Sequence, residues 1–138
     1  MDLFTAAVQD SARAAALWGG LLILLLITLS GLVVRQRQRL RIGYGDGEAP
    51  ELMAASRAFG NAAEYAPAGM AALALMAMVG VTPWLMHAVG AVFFLGRLIH
   101  AFGLSRSVGA TRSRVVGMML TYIPLLTIGV ILIAYAVP

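Results

Sequence analysis

Four long apolar stretches divide the chain, separated by short segments where polar residues, glycine and proline collect. Residues 17–34 and residues 115–137 carry no charge at all. The two middle stretches, 53–79 and 84–104, are interrupted by Arg57, Asn61 and Glu64 in one and by His87, Arg97 and His100 in the other. A bilayer core of roughly 30 Å needs about 20 helical residues, and each stretch meets that length. The pattern predicts an all-α integral membrane protein, a four-transmembrane-helix bundle in a single domain over 1–138, with spans near 12–34, 51–79, 83–105 and 113–137. A membrane barrel would need about eight or more alternating segments, which the chain does not contain.

The connecting segments support these limits. Residues 35–49 read as a polar loop with glycines at 43, 45 and 47, and Pro50 suits the first turn of the second helix, where a missing N–H costs nothing. Thr82 reads as an N-cap with Pro83 at the first helical position. Residues 105–114 read as the last loop, with a Ser or Thr capping the fourth helix. The first apolar run lacks a basic segment before it and ends in Arg35 instead of a small-residue cleavage site, so it reads as a retained span and not a signal peptide. Glycines 19, 20, 31, 90, 96, 117 and 129 fall within spans, where small residues permit close helix approach, with Gly20 and Gly31 as readily tolerated as functional.

Composition sharpens this picture. Hydrophobic residues make up 61% of the chain, charged residues 12%, and the mean hydropathy is +0.89. A soluble globule, a disordered tail and a coiled coil are excluded, since soluble domains carry about 25% charge. The absence of cysteine excludes a disulfide framework, a thiolate metal site and a cysteine nucleophile. All ten basic residues are arginine. The first loop holds Arg35, Arg37, Arg39 and Arg41, the third Arg106, Arg112 and Arg114, whereas the opposite side holds Arg13 alone. The positive-inside rule therefore places both arginine-rich loops in the cytoplasm and both termini outside. The net charge of +4 points to membrane lipid, not nucleic acid. Trp18 and Trp84 both fall near the outer boundary, as an interfacial aromatic belt requires.

The candidate chemistry lies inside the spans. Arg57, Asn61 and Glu64 are spaced by four and three residues, which places them within roughly a 60° arc, and Tyr65 widens it to about 100°. Arg97 and His100 are i,i+3 neighbours on the third helix. An intramembrane charge costs at least about 2.5 kcal/mol on insertion scales. Two readings follow: a buried Arg–Glu or Asn–Glu network that glues helices together, or a ligand site. No metal-ligand spacing, nucleophilic triad or phosphate loop is present; Gly43-Tyr44-Gly45-Asp46-Gly47 has neither a preceding strand nor a following lysine.

The residues at this stripe resemble a known signature. Gly45-Asp46-Gly47, Glu51-Leu52 and then Arg57-Ala58-Phe59-Gly60-Asn61-Ala62-Ala63-Glu64-Tyr65-Ala66-Pro67 are similar to the R-x-x-x-N-x-x-E-[YT]-x-P pattern of the MAPEG family, the membrane-associated proteins in eicosanoid and glutathione metabolism. The Gly-Asp-Gly loop resembles the bacterial branch, and the whole resembles a microsomal glutathione transferase. The resemblance covers essentially the whole chain. It implies an inner-membrane homotrimer with glutathione as cosubstrate, bound between adjacent subunits near the cytoplasmic face. The implied glutathione contacts are Arg57, Asn61, Glu64 and Tyr65 on the second helix, Arg35 on the first, and Arg97 and His100 on the third. An arginine at the start of the fourth helix faces the glutathione sulfur in family enzymes, and Arg112 and Arg114 are the catalytic candidates here. Family enzymes also place a tyrosine four residues after the position of His100, where this chain has Leu104.

Glutathione chemistry suits these residues. The ligand brings two carboxylates, an ammonium and the thiol that a cysteine-free protein lacks. Arginine's planar fork matches carboxylates bidentately, and Glu64 can receive the ammonium. A fixed cation lowers a thiol pKa from about 8.5, while the bilayer delivers a lipophilic small-molecule substrate to the same depth. The expected activity is conjugation of glutathione to lipophilic electrophiles, reduction of lipid hydroperoxides, or both. The residues leave two alternatives open: a small proton-coupled exporter using Glu64, and a catalytically silent relative that binds a lipid or partner.

Overall fold

The computed structural model describes residues 3–106 and 111–137. Its elements are α1 (Leu3–Leu40), α2 (Pro50–Met78), α3 (Pro83–Arg106) and α4 (Arg112–Ala136). The chain is all-helical among the described residues. Three helices, α1, α3 and α4, are long and apolar enough to cross a membrane. α2 falls short of that apolarity because Arg57, Asn61 and Glu64 lie in its first half.

Local chemistry accounts for the ends. Pro50 and Pro83 each open a helix, where a fixed φ and a missing donor are favourable. Thr111 is the N-cap of α4, its side chain accepting from the backbone N–H of Arg114. Gly80 takes a φ of +77° in the turn between α2 and α3, a backbone region that a Cβ disfavours. Two loop expectations need correction. Helix α1 continues to Leu40, so Arg35, Arg37 and Arg39 stand on its last turns and not in a loop beginning at 35. At 1.5 Å per residue, a helix of 38 residues runs about 57 Å, well beyond a bilayer core, and cations at its C-terminus complement the macrodipole. Likewise Arg106 closes α3 and residues 112–114 open α4, so the expected loop at 105–114 is shorter; its residues 107–110 lie outside the described residues.

The core contacts establish an up-down-up-down order. Ala14 at the start of α1 clusters with Leu73, Met76 and Ala77 late in α2, Met86 and Val89 early in α3, and Ile128 late in α4. A middle layer joins Leu22, Ala66 and Phe93. At the opposite end Leu25 and Leu29 meet Ala58 and Ala62 early in α2 and Ala101 and Leu104 late in α3. Ala58, Ala62 and Ala66 form an i,i+4,i+8 row of small side chains, all buried, which lets α2 lie close to its neighbours where lipid supplies no hydrophobic drive.

Glycines divide sharply by neighbourhood. A Cβ at Gly96 would stand 2.7 Å from the carbonyl carbon of Leu120, and one at Gly117 would stand 2.6 Å from the backbone nitrogen of His100. These two positions bring α3 and α4 into backbone contact. A Cβ at Gly90 would run into the Trp18 ring. Gly19, Gly20, Gly31 and Gly129 have nothing within 4 Å, so among the described residues these four do not serve close approach, contrary to the expectation for Gly19 and Gly129.

The end of the bundle away from the arginine-rich segments is held by two polar contacts. The Ser11 hydroxyl, fully buried, donates to the carbonyl of Val81. Trp18 Nε1 donates to His87 Nδ1 at 3.2 Å, joining α1 to α3. Trp84 remains exposed.

Candidate functional site

The site is assembled where three helices meet. The α2 row that buries Ala58 and Ala62 turns Asn61 and Tyr65 toward α3 and α4, because positions three and four residues apart share a helix face. Arg97 on α3 is fully buried, with 0% exposure. Its Nη2 donates to Asn61 Oδ1 at 3.0 Å, and its Nη1 reaches Met118 Sδ on α4 at 4.0 Å. Asn61 in turn extends Nδ2 toward Glu64 Oε2 at 3.5 Å. The guanidinium carbon stands 5.2 Å from the centre of the Tyr65 ring, within cation–π range. The Tyr65 hydroxyl meets the Tyr122 hydroxyl of α4 at 3.0 Å, with the rings edge to face.

Arg97 is therefore anchored without a carboxylate beside it. The ion pair between described residues is Arg13 with Asp10, far from the site. Asn61 stands between Arg97 and Glu64, and the Arg97 Nε is buried with no hydrogen-bond partner among the described residues. Glu64 is exposed on the chain's surface. An unpartnered donor on a buried charge is costly, about 1–3 kcal/mol or more.

His100 takes a different part. Its Nδ1 donates to the backbone carbonyl of Arg114 at 2.8 Å, while the N–H of Arg114 faces the Thr111 hydroxyl. Both backbone groups of Arg114 are thus held at the first turn of α4. Gly117, one turn on, is what lets that turn lie against His100. Arg114 lines a cleft of about 390 Å³ with His100, Val115, Met118, Met119 and Tyr122. Arg112 lines a separate depression with Thr111, Val115 and Val116.

Of the residues singled out from the sequence, the structure brings together Asn61, Glu64, Tyr65 and Arg97 in one group, and His100 with Arg114 in a second. Arg35, Arg57 and Arg112 are exposed and make no hydrogen bond or ion pair to either group among the described residues. Tyr122 and Met118 were not singled out. Met118 follows Arg114 at i+4 and Tyr122 at i+8, one ridge of the helix, a spacing visible in the sequence but without meaning until α4 is set against α2 and α3. Leu104 is buried with Leu25, Leu29 and Ala101 in the α1–α2–α3 core, so the side chain at this position packs inward.

With this geometry in view, the comparisons are informative. The model of the MAPEG family matches residues 15–134, nearly the whole chain. The chain belongs to the MAPEG family. Similar relatives include a protein of Escherichia coli K12 named "Inner membrane protein YecN", 40% identical over 112 residues, which are 81% of this chain and 84% of that protein. Its counterpart in Escherichia coli O6:H1 aligns to the same extent. Asn61, Glu64 and Tyr65 lie in one segment of α2 within the matched residues, Arg97 joins them from α3, and His100 and Arg114 form the second group.

Proposed function

We propose that this MAPEG protein is a glutathione-dependent enzyme of the bacterial inner membrane. It conjugates glutathione to lipophilic electrophiles, reduces lipid hydroperoxides, or does both. The observation that carries this reading is Arg97: a fully buried guanidinium tied to Asn61, with a free Nε and no carboxylate partner among the described residues. The Arg97–Asn61–Glu64 chain of contacts leaves the guanidinium charge without a neutralising carboxylate in contact, which a buried charge requires. It keeps donors for an anion and leaves Glu64 exposed for a cation, the complement of a zwitterionic peptide. The functional unit is a homotrimer in which α2 crosses the membrane as an inner helix. Glutathione lies between subunits, contacted by Arg57, Asn61, Glu64, Tyr65 and Arg97, with Arg35 of α1 reaching it from across the interface. The arginine-rich segments face the cytoplasm and the termini the periplasm.

Arg114 supplies the cation beside the sulfur. Its backbone is pinned by His100 and Thr111, and it shares the apolar cleft where a hydrophobic substrate enters. Arg112 opens elsewhere. His100 acts through Arg114, as the strut that sets its position. In conjugation the thiolate forms a carbon–sulfur bond as the electrophile's bond breaks. In peroxide reduction the thiolate takes the distal oxygen, the alkoxide leaves and is protonated, and a second glutathione yields disulfide and water. Calorimetry in detergent tests the reading: the trimer binds glutathione, and Arg114→Ala raises the bound thiol's pKa, seen as weaker thiolate absorbance near neutral pH, while Arg112→Ala does not. An intact trimer that binds nothing at about millimolar glutathione, a usual upper range for KM values, removes the proposal.

A further inference from the structure

The cleft beside Arg114 has a second polar pole. Each tyrosine hydroxyl carries one donor hydrogen and two acceptor lone pairs. The bond between Tyr65 and Tyr122 uses one hydrogen and one lone pair. The remaining capacity has no partner among the described residues and is open at the surface of the bundle, where a ligand can meet it. Tyr122 is 47% exposed and forms part of the cleft wall. The other end of the same cleft is Arg114 with His100, and Val115, Met118 and Met119 make an apolar floor between the two. Tyr122 lies eight residues beyond Arg114 on one continuous helix, an axial rise of about 12 Å between their backbones that sets the scale of the cleft.

We infer that the cleft selects an elongated electrophile with its reactive carbon at Arg114 and a hydroxyl group about 12 Å away, on the Tyr65–Tyr122 pair. The inference rests on the proposed glutathione chemistry and names the substrate class for it. A hydroxyl fits better than the other polar groups. A carboxylate carries a desolvation cost at that depth. A carbonyl can only accept, and so needs the spare hydrogen of the pair. When glutathione takes that hydrogen from Tyr65, Tyr122 still offers lone pairs, and a hydroxyl, which both donates and accepts, is matched in either arrangement. The two methionines allow the chain between the poles to vary in shape.

The test uses the full chain in detergent, saturated with glutathione, and straight-chain 2-alkenals of graded length with or without a terminal hydroxyl. The thiolate adds to the β-carbon, the π pair moves to the α-carbon, and that carbon takes a proton from water, so no leaving group is involved. At the length matching about 12 Å, the hydroxyl-bearing alkenal has a kcat/KM roughly tenfold above its alkyl analogue, and the advantage falls at shorter and longer lengths. In Tyr122→Phe and Tyr65→Phe the ratio drops toward one, whatever happens to the absolute rates. Conjugation with no preference at any length, or a preference that survives Tyr122→Phe, overturns the inference and leaves the glutathione reading standing. Failure to bind glutathione or to conjugate any member overturns both.

Discussion

Gly117 offers the most direct test of how the site is built. A methyl group there would stand 2.6 Å from the His100 backbone nitrogen and 2.7 Å from its Cα, where ordinary contact is 3.4–4 Å. Neither atom is the flexible end of a side chain, so α3 and α4 must part by roughly 1 Å in Gly117→Ala, an overpacking that costs about 1–3 kcal/mol. Gly129 on the same helix has nothing within 4 Å. Both replacements gain the same helix propensity, about 1 kcal/mol, so the difference between the two variants isolates the packing term. Reversible unfolding in mixed detergent measures it: Gly117→Ala falls about 1–3 kcal/mol below Gly129→Ala. The same 1 Å displacement stretches the His100–Arg114 hydrogen bond from 2.8 Å beyond hydrogen-bonding range, so Gly117→Ala also weakens thiolate absorbance while Gly129→Ala does not. Equal stabilities to within about 0.5 kcal/mol and equal thiolate signals would refute the claim that this glycine sets the position of Arg114.

Two further outcomes follow from the polar contacts. Asn61→Ala removes the acceptor of the buried Arg97 and lowers stability by about 1.5–3 kcal/mol, the range for hydrogen bonds to charged groups, with glutathione affinity falling at least tenfold by calorimetry; Asn61→Asp, which keeps an oxygen acceptor but pairs the Arg97 charge, loses less stability and at least as much affinity. Ser11→Ala leaves the Val81 carbonyl without its cross-bundle donor and lowers unfolding free energy by about 1–3 kcal/mol, with glutathione affinity unchanged because the contact lies at the other end of the bundle.

Much of the fold was legible in the order of residues. Apolar runs of about the length of a bilayer core read as helices with their backbone groups satisfied internally, and Pro50 and Pro83 mark where the two middle helices begin. The polar stripe on α2 was legible for a related reason, since spacing by three and four residues places side chains on one face whatever surrounds the helix. The limits of α1 were not. Arg35, Arg37 and Arg39 look like loop residues by hydropathy, but arginine is a good helix former, and the helix runs on past the apolar run to Leu40.

What periodicity cannot supply is the identity of the opposing surface. Arg97 and His100 are i,i+3 neighbours, yet the guanidinium reaches across to Asn61 on α2 while the imidazole turns to a backbone carbonyl on α4. Leu104, one turn beyond His100, faces the α1–α2–α3 core instead of the site. Tyr122 was an unremarked aromatic in an apolar run until it met Tyr65. The glycines of α3 and α4 likewise differ from Gly19 or Gly129 only in what lies opposite. The sequence by itself determined a helical membrane protein, a polar stripe and a family signature, because chain solvation and helix geometry depend on local composition and spacing. Only the tertiary structure decided which polar groups answer one another, because a hydrogen bond or backbone contact between helices depends on rotation and separation that neither helix specifies alone.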